Sequence, residues 1–297
     1  MAGLARQPAR AADLKMHKAG AIPIDTDVVM FLAESQGFFA KNGLDVNIQP
    51  FNTGDALVAA VLGGDIEFGS INTMSLALAR QNGAPLKVIA PGAEYSSKSP
   101  TTQMMVLKSS PIATAKDLNG KTVGINVLKG IAHVSAIAWI DKHGGDSKSV
   151  KFLEMPFPLM PPALTSNRVD AAVIAEPALT ASKADSRVLG NSYDGFAPNW
   201  MIDMYVASET WIKANPDDVH RIRAAISATA AWANTHHAES APVLAKISKL
   251  DEAVIEKTTR AVFAESLDPK LIQPIIDVAV QYGILTKAFS ASDLIAT

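Results

Sequence analysis

The stretch Val28-Val29-Met30-Phe31-Leu32-Ala33-Glu34-Ser35-Gln36-Gly37-Phe38-Phe39-Ala40-Lys41-Asn42-Gly43-Leu44-Asp45-Val46 decides the fold. Its amphipathic portion predicts a helix over Val28–Lys41, Gly43 stands where a left-handed C-terminal cap is expected, and Asp45–Phe51 resumes as a short strand. Leu14–Ala19 ahead of it reads as another strand, so the unit is strand–helix–strand, the building block of a parallel sheet.

Working outward, the same alternation continues. Short runs rich in β-branched residues at Glu67–Ser70, Lys87–Ala90, Gln103–Leu107, Lys121–Asn126, Val150–Leu153, Ala171–Ile174, Arg187–Leu189 and Met204–Ala207 predict strands. Helices are expected at Asp55–Leu62, Thr73–Gln81, with Gly83 as its cap, Ile131–His143 and Pro177–Ala184. After Ala207 the pattern turns almost wholly helical. Asn215-Pro216-Asp217-Asp218 combines a capping amide, a proline suited to the first helical position and two aspartates facing the positive end of the macrodipole. Val219, Ile222, Ile226, Ala230 and Ala233 then make one apolar face. Further helices are expected over Asp251–Glu265 and Asp268–Tyr282, the latter broken in two by Pro274. The class is α/β.

Composition narrows the function. A chain of 297 residues with 48% apolar content builds one large core or two ordinary ones, and two is the better expectation. The net charge of −2, from 27 basic and 29 acidic residues spread along the chain, gives no block that tracks a phosphate backbone, which argues against nucleic acid. No apolar run approaches the roughly 18 residues of a spanning helix. Cysteine is absent, which removes disulfides, thiolate metal sites and cysteine nucleophiles together. The opening MAGLARQPARAAD, with Ala9-Arg10-Ala11 in the small-x-small pattern that precedes signal cleavage, reads either as the remnant of an export signal or as an ordinary frayed terminus.

Enzyme signatures fail in turn. Neither a Gly-x-Ser-x-Gly elbow nor a Gly-x-Gly-x-x-Gly turn occurs. Asn119-Gly120-Lys121-Thr122 imitates the end of a phosphate loop, but Ala115 occupies the place of the first glycine and a strand follows, so a turn is expected. The six histidines include no H-x-x-x-H pair on a helix face, and no metal or other cofactor is expected.

From Ala33 through Val46 the sequence resembles, almost residue for residue, the A-x-x-x-G-F-F-x-x-x-G-L-D-V opening of the nitrate/sulfonate/bicarbonate-type solute receptors of ABC importers. The likeness continues through Asn52-Thr53-Gly54-Asp55, Gly63-Gly64-Asp65-Ile66-Glu67-Phe68-Gly69, Asp117-Leu118-Asn119-Gly120-Lys121-Thr122-Val123-Gly124, Ala163-Leu164, Val169-Asp170-Ala171-Ala172 and Trp211-Ile212 with Asn215-Pro216. It implies a type II periplasmic-binding-protein fold: two α/β lobes joined by hinge crossings, with a helical C-terminal part. The first lobe would comprise residues 14–107 and 200–297 and the second residues 108–199, with hinges near Val106–Ser109 and Asn199–Tyr205 and residues 1–13 as a signal remnant or tail. The implied role is a periplasmic monomer that captures a small organic solute (sulfonate, carboxylate or pyrimidine-like) and presents it to membrane permease subunits. The rival readings are a pyrimidine-synthase-like enzyme, whose cysteine-rich motif this chain lacks, and a sensory domain, which would need a DNA-reading segment ahead of it.

Open α/β sheets bind ligands at the carboxyl ends of their strands. Thr26 and Asp27 follow the first strand, Thr53-Gly54 and Asn72-Thr73 open helices, and Ser70 and Asn126 end strands. Lys129-Gly130 opens a helix that carries His133. Each helix start offers unpaired amides to an anionic or accepting group, or is merely a cap. Glu176, ahead of Pro177, is either an acceptor for a donor-bearing solute or a carboxylate complementing a helix dipole. Trp200 either stacks on a ring or packs at the hinge.

Overall fold

The expected helix over Val28–Lys41 is two helices. Gly37, at a left-handed φ of 73°, separates α1 (Val28–Ser35) from α2 (Phe38–Lys41). Only a residue without a Cβ adopts that turn cheaply, and it lets Phe39 swing into the core beside Leu32 and Val28. The computed structural model describes residues 15–296, so the tail Met1–Asp13 and the first residue of the expected strand Leu14–Ala19 lie outside the described residues.

Two five-stranded sheets organise the chain. The first contains β1 (Met16–Ala21), β2 (Asp45–Pro50), β3 (Phe68–Asn72) and β4 (Leu86–Pro91), with β12 (Asp203–Ser208) inserted antiparallel between β3 and β4. β1 runs parallel to both β2 and β3, as βα units require. The second sheet is ordered β10 (Ser186–Gly190), β6 (Thr102–Leu107), β9 (Ala171–Ala175), β7 (Thr122–Ile125), β8 (Lys151–Glu154), with β7 parallel to its two neighbours and β6 antiparallel to its own.

Between them lies a small ribbon: β5 (Ala93–Ser96) pairs antiparallel with β11 (Asn199–Met201) on one side and β13 (Val262–Phe263) on the other. The chain leaves the first sheet through β5 and returns through β11, so the two crossings run side by side, with Trp200 opposite Tyr95. The expected boundary at Leu107/Lys108 therefore needs correction, because β6 pairs with β9 and β10 of the second sheet and the crossing precedes Thr102. An apolar strand does not announce which of two sheets it joins.

Helices cover the sheets. α3 (Gly54–Gly63) and α4 (Thr73–Gln81) follow β2 and β3, while α5 (Ile131–Lys142), α6 (Met160–Thr165) and α7 (Ala178–Ser182) serve the second sheet. After the short α8 (Glu209–Ala214), α9 (Pro216–Ala233) buries Val219, Ile222, Ile226, Ala230 and Ala233, the face expected of it, against α1, α2 and β4. Asn215, however, does not cap α9. Its Nδ2 donates to Trp211 O at the end of α8 and its Oδ1 accepts from Lys15 Nζ, so the preceding helix claims the side chain.

Two further expectations give way to tertiary contacts. After α10 (His237–Ser248), the helix expected over Asp251–Glu265 is only α11 (Glu252–Ile255). Arg260 and the backbone amide of Ala261 are both bound to Asp25, which holds the following segment off the helix and feeds it into β13. Conversely, α12 (Pro269–Gln281) continues through Pro274, because Ile272, Ile275, Ile276 and Ala279 bury one face that outweighs the lost backbone hydrogen bond.

Candidate functional site

Both parallel-strand sets point their carboxyl ends at one cleft of about 730 Å³. From the first sheet come the turn after β1 (Ile22–Asp27), the start of α3 and the end of β3. The second sheet supplies the loops after β7 and β8 and the end of β9. Thr101, Thr102, Ile202 and Asp203 next to the crossings, Tyr193, Leu78 of α4 and Ile247–Lys249 at the end of α10 also line it.

Three helix N-termini converge there. Thr53 caps α3, its Oγ1 accepting from Ala56 N at 3.3 Å, and Asn72 caps α4, its Oδ1 accepting from Ser75 N at 2.9 Å. Ser75 Oγ donates to Asp55 Oδ1 at 2.7 Å and ties the two helix starts together. Gly54 allows that approach: a Cβ there would stand 2.3 Å from Asn72 Nδ2. α5 differs, because its cap Gly130 has no side chain to offer the first-turn amides, which leaves them for an accepting group. Lys129 precedes it at a left-handed φ of 63° with its ammonium exposed at the rim.

Of the residues singled out in the sequence, Thr26, Asp27, Thr53, Gly54, Ser70, Asn72, Asn126, Lys129, Gly130 and Glu176 all line this cleft. Three do not. Thr73 is buried, donating through Oγ1 to Met201 O and through its amide to Ile202 O, so it fastens α4 to the return crossing. His133 turns away from the cleft, its Nδ1 accepting from Lys129 N at 2.9 Å and its ring set edgewise on Phe152. Burial and then the Lys129 charge hold its pKa below the ordinary histidine value, so it is neutral at pH 7. Trp200 is fully buried among Tyr95, Tyr193 and Phe196, with Nε1 donating to Tyr193 O at 3.1 Å. Its contacts are packing contacts beside the crossings, and it is not part of the cleft lining.

Glu176 resolves toward capping. Its Oε2 accepts from Thr180 N at 2.8 Å and its Oε1 from Thr180 Oγ1 at 2.9 Å, at the start of α7. Oε1 also accepts from Thr259 N at 3.4 Å, a contact between the second sheet's layer and the C-terminal part of the chain. Burial raises its pKa, against which these donors and Lys183 pull down.

The acids on the first-sheet side were only partly foreseen. Asp27 Oδ2 accepts from Ile22 N at 2.7 Å, and Asp203 Oδ1 from Ala93 N at 2.8 Å. The two carboxyls are neighbours: burial lifts Asp27 to about 6, while burial and the Asp27 charge push Asp203 well above the ordinary carboxylate range. Asp203 was legible as a lone charge inside the apolar run Trp200–Val206. Asp25, by contrast, is neutralised by Arg260. Among the described residues, no group of three or more His, Cys, Asp or Glu is arranged to hold a metal, and no helix is long and apolar enough to cross a membrane.

The fold recurs in known proteins. The chain superposes with a TM-score of 0.80 on the periplasmic aliphatic sulphonate binding protein SsuA from Escherichia coli, at 21% identity over 95% of this chain and 97% of that one. Against the alkanesulfonate-binding protein SsuA from Xanthomonas axonopodis pv. citri bound to MOPS, the TM-score is 0.78, at 20% identity over 98% and 99%. The fold is thus the two-lobed periplasmic-binding-protein fold expected from the sequence. The taurine-binding periplasmic protein of Escherichia coli is 25% identical over 192 residues, 63% of this chain and 58% of that protein's length. A family profile described as NMT1/THI5 like matches residues 27–240, and the chain belongs to that family.

Proposed function

We propose that the protein is the solute receptor of an ABC importer, capturing a small organic solute between its two sheets and presenting it to membrane permease subunits. The observation that carries this reading is the convergence of strand carboxyl ends from both sheets on one cleft, beside the paired crossings β5 and β11. A solute touching both walls favours the closed form over the open one by its differential contacts. The open first-turn amides of α5 and the capped starts of α3 and α4 suit the oxygens of a sulfonate or carboxylate, or the acceptors of a pyrimidine-like ring.

The taurine-binding relative and the Escherichia coli sulphonate-binding neighbour are periplasmic, and the Xanthomonas neighbour binds alkanesulfonates, which supports the same compartment and ligand range here. A receptor acts as a monomer and performs no turnover. The test is a thermal-shift screen of unfolded-and-refolded protein against sulfonates, taurine, carboxylates and hydroxymethylpyrimidine. A ligand at about 100 times its Kd stabilises by about 2.7 kcal/mol. Absence of any shift, or an unchanged scattering radius with saturating ligand, would refute the capture-and-closure reading.

A further inference from the structure

We propose that residues 258–261 form a breakable latch between the two lobes: the segment stays fastened to Asp25 on the first-sheet side, while its bond to Glu176 on the second-sheet side is made in the closed form and lost in the open one. The inference rests on the capture-and-closure reading of the cleft and adds a non-covalent tie to the two crossings.

Asp25 and Glu176 both line the cleft, one in the turn after β1 and the other at the end of β9, so they stand on different walls. Three consecutive residues run between them. Thr259 N donates to Glu176 Oε1 at 3.4 Å, Arg260 Nε to Asp25 Oδ1 at 2.6 Å and Ala261 N to Asp25 Oδ2 at 2.6 Å. The first-sheet side holds the segment at further points: Arg260 Nη1 donates to Ser240 Oγ at 3.0 Å, and Phe263, two residues beyond the segment, exchanges two 2.9 Å bonds with Asn234. Among the described residues, the Thr259 amide makes the segment's one hydrogen bond to the second-sheet side.

The two grips differ in strength, and that decides which one yields. Asp25 and Arg260 are a charge-assisted pair with both side chains almost wholly buried, and parting them strands two charges. The Thr259–Glu176 bond is a single N–H···O longer than the roughly 2.7–3.2 Å usual for such bonds. Releasing it strands nothing. Glu176 keeps Thr180 N at 2.8 Å, Thr180 Oγ1 at 2.9 Å and Lys183 Nζ at 3.8 Å, all on its own side, and the half-buried Thr259 turns its amide to water. When the walls part, the segment therefore travels with Asp25.

A bond made in the closed form alone adds to the population of that form, so the latch raises solute affinity without touching the solute. Solute and latch reinforce one another, because both favour the form in which the walls are close. Loss of the latch lowers affinity by about two- to tenfold, the worth of one ordinary hydrogen bond.

The test reads lobe separation in the solute-free protein. The chain contains no cysteine, so Ala56→Cys on α3 and Leu159→Cys after β8, exposed positions beside the cleft residues Asp55 and Pro158, carry a single pair of spin labels for pulsed dipolar distance measurement. In this background Thr259→Pro, which removes the amide hydrogen, moves the distances toward larger separation, while Thr259→Ala, which keeps it, leaves them as in the parent. A folded Thr259→Pro protein with the parent's distances overturns the inference. Amide hydrogen exchange of the unsubstituted chain answers separately where the proline variant does not fold: relative to intrinsic rates, Thr259 is protected at least about tenfold less than Ala261. Equal protection of the two amides overturns the latch. Neither measurement uses a solute, so a failed latch leaves the receptor reading intact, and failure of that reading is seen in the ligand screen alone.

Discussion

Arg260 Nε donates to Asp25 Oδ1 at 2.6 Å across 235 residues of sequence, and both side chains are almost wholly buried. Asp25 Oδ2 accepts from Ala261 N, and Arg260 Nη1 reaches Ser240 Oγ, so a single ion pair joins the turn after β1, the start of α10 and the segment entering β13. That segment also supplies Thr259 N to Glu176 on the opposite wall of the cleft. The pair therefore holds in place the strap that touches both walls.

Removing one partner leaves the other charged and buried. Asp25→Ala is expected to destabilise by about 3–5 kcal/mol, and Arg260→Met by less, since a methionine fills part of the volume. Chemical denaturation of the two variants checks this. Equal and small losses would mean that the pair is solvated and not a structural joint.

Gly92→Ala tests the aim of Asp203. The added Cβ would meet Asp203 Oδ1 at 2.1 Å and Asp203 O at 2.5 Å, both within the strand pair β12–β4 and its continuation. Overpacking of this kind costs about 1–3 kcal/mol, and here the carboxylate must also turn. The expected outcome is a lowered Tm together with weakened solute affinity. Affinity unchanged in a destabilised variant would separate Asp203 from the binding surface.

The order of events along the chain was legible where one segment decides it. The Gly43 and Gly83 caps, the βα alternation and the apolar face of α9 are local patterns, and all are present. What failed was decided elsewhere in the chain: β6 joins the second sheet, Arg260 pulls residues 258–261 out of a helix toward Asp25, and Asn215 is taken by α8. The site was readable in the same proportion. Strand-end residues such as Thr53, Asn72 and Asn126 reach the cleft because sheet topology sends every parallel strand end there, whereas the partnership of Asp27 with Asp203, contributed by a strand returning from the other sheet, has no local signature.

Trp200 separates hinge packing from recognition. It sits opposite Tyr95 where the crossings pair and touches Phe196 and Tyr193; Tyr193 lines the cleft and Trp200 itself does not. Trp200→Ala is expected to cost about 3–5 kcal/mol of stability. Trp200→Phe retains most of the packing but loses the Nε1 bond to Tyr193 O and costs about 1 kcal/mol. Solute affinity of the Phe variant, measured by calorimetry, stays within about twofold of the parent. A large affinity loss with unchanged stability would place the indole against the solute after all.

The acid pair makes stability depend on pH in an identifiable direction. Asp27 ionises at 3.8 in an unfolded chain and at about 6 in the folded one, so between those values the folded state holds more protons. Stability from this group is fully present below about pH 4 and is lost as pH rises through about 6. Asp203, raised further by burial and the Asp27 charge, extends the loss to higher pH. Asp203→Asn removes that second carboxyl, so the Tm difference between variant and parent grows in the variant's favour as pH rises from 5 to about 8. Carboxylates elsewhere that gain stability on ionising act equally on both proteins and cancel in the difference. A difference that stays flat across this range would show that Asp203 ionises in the folded protein as it does in the unfolded one.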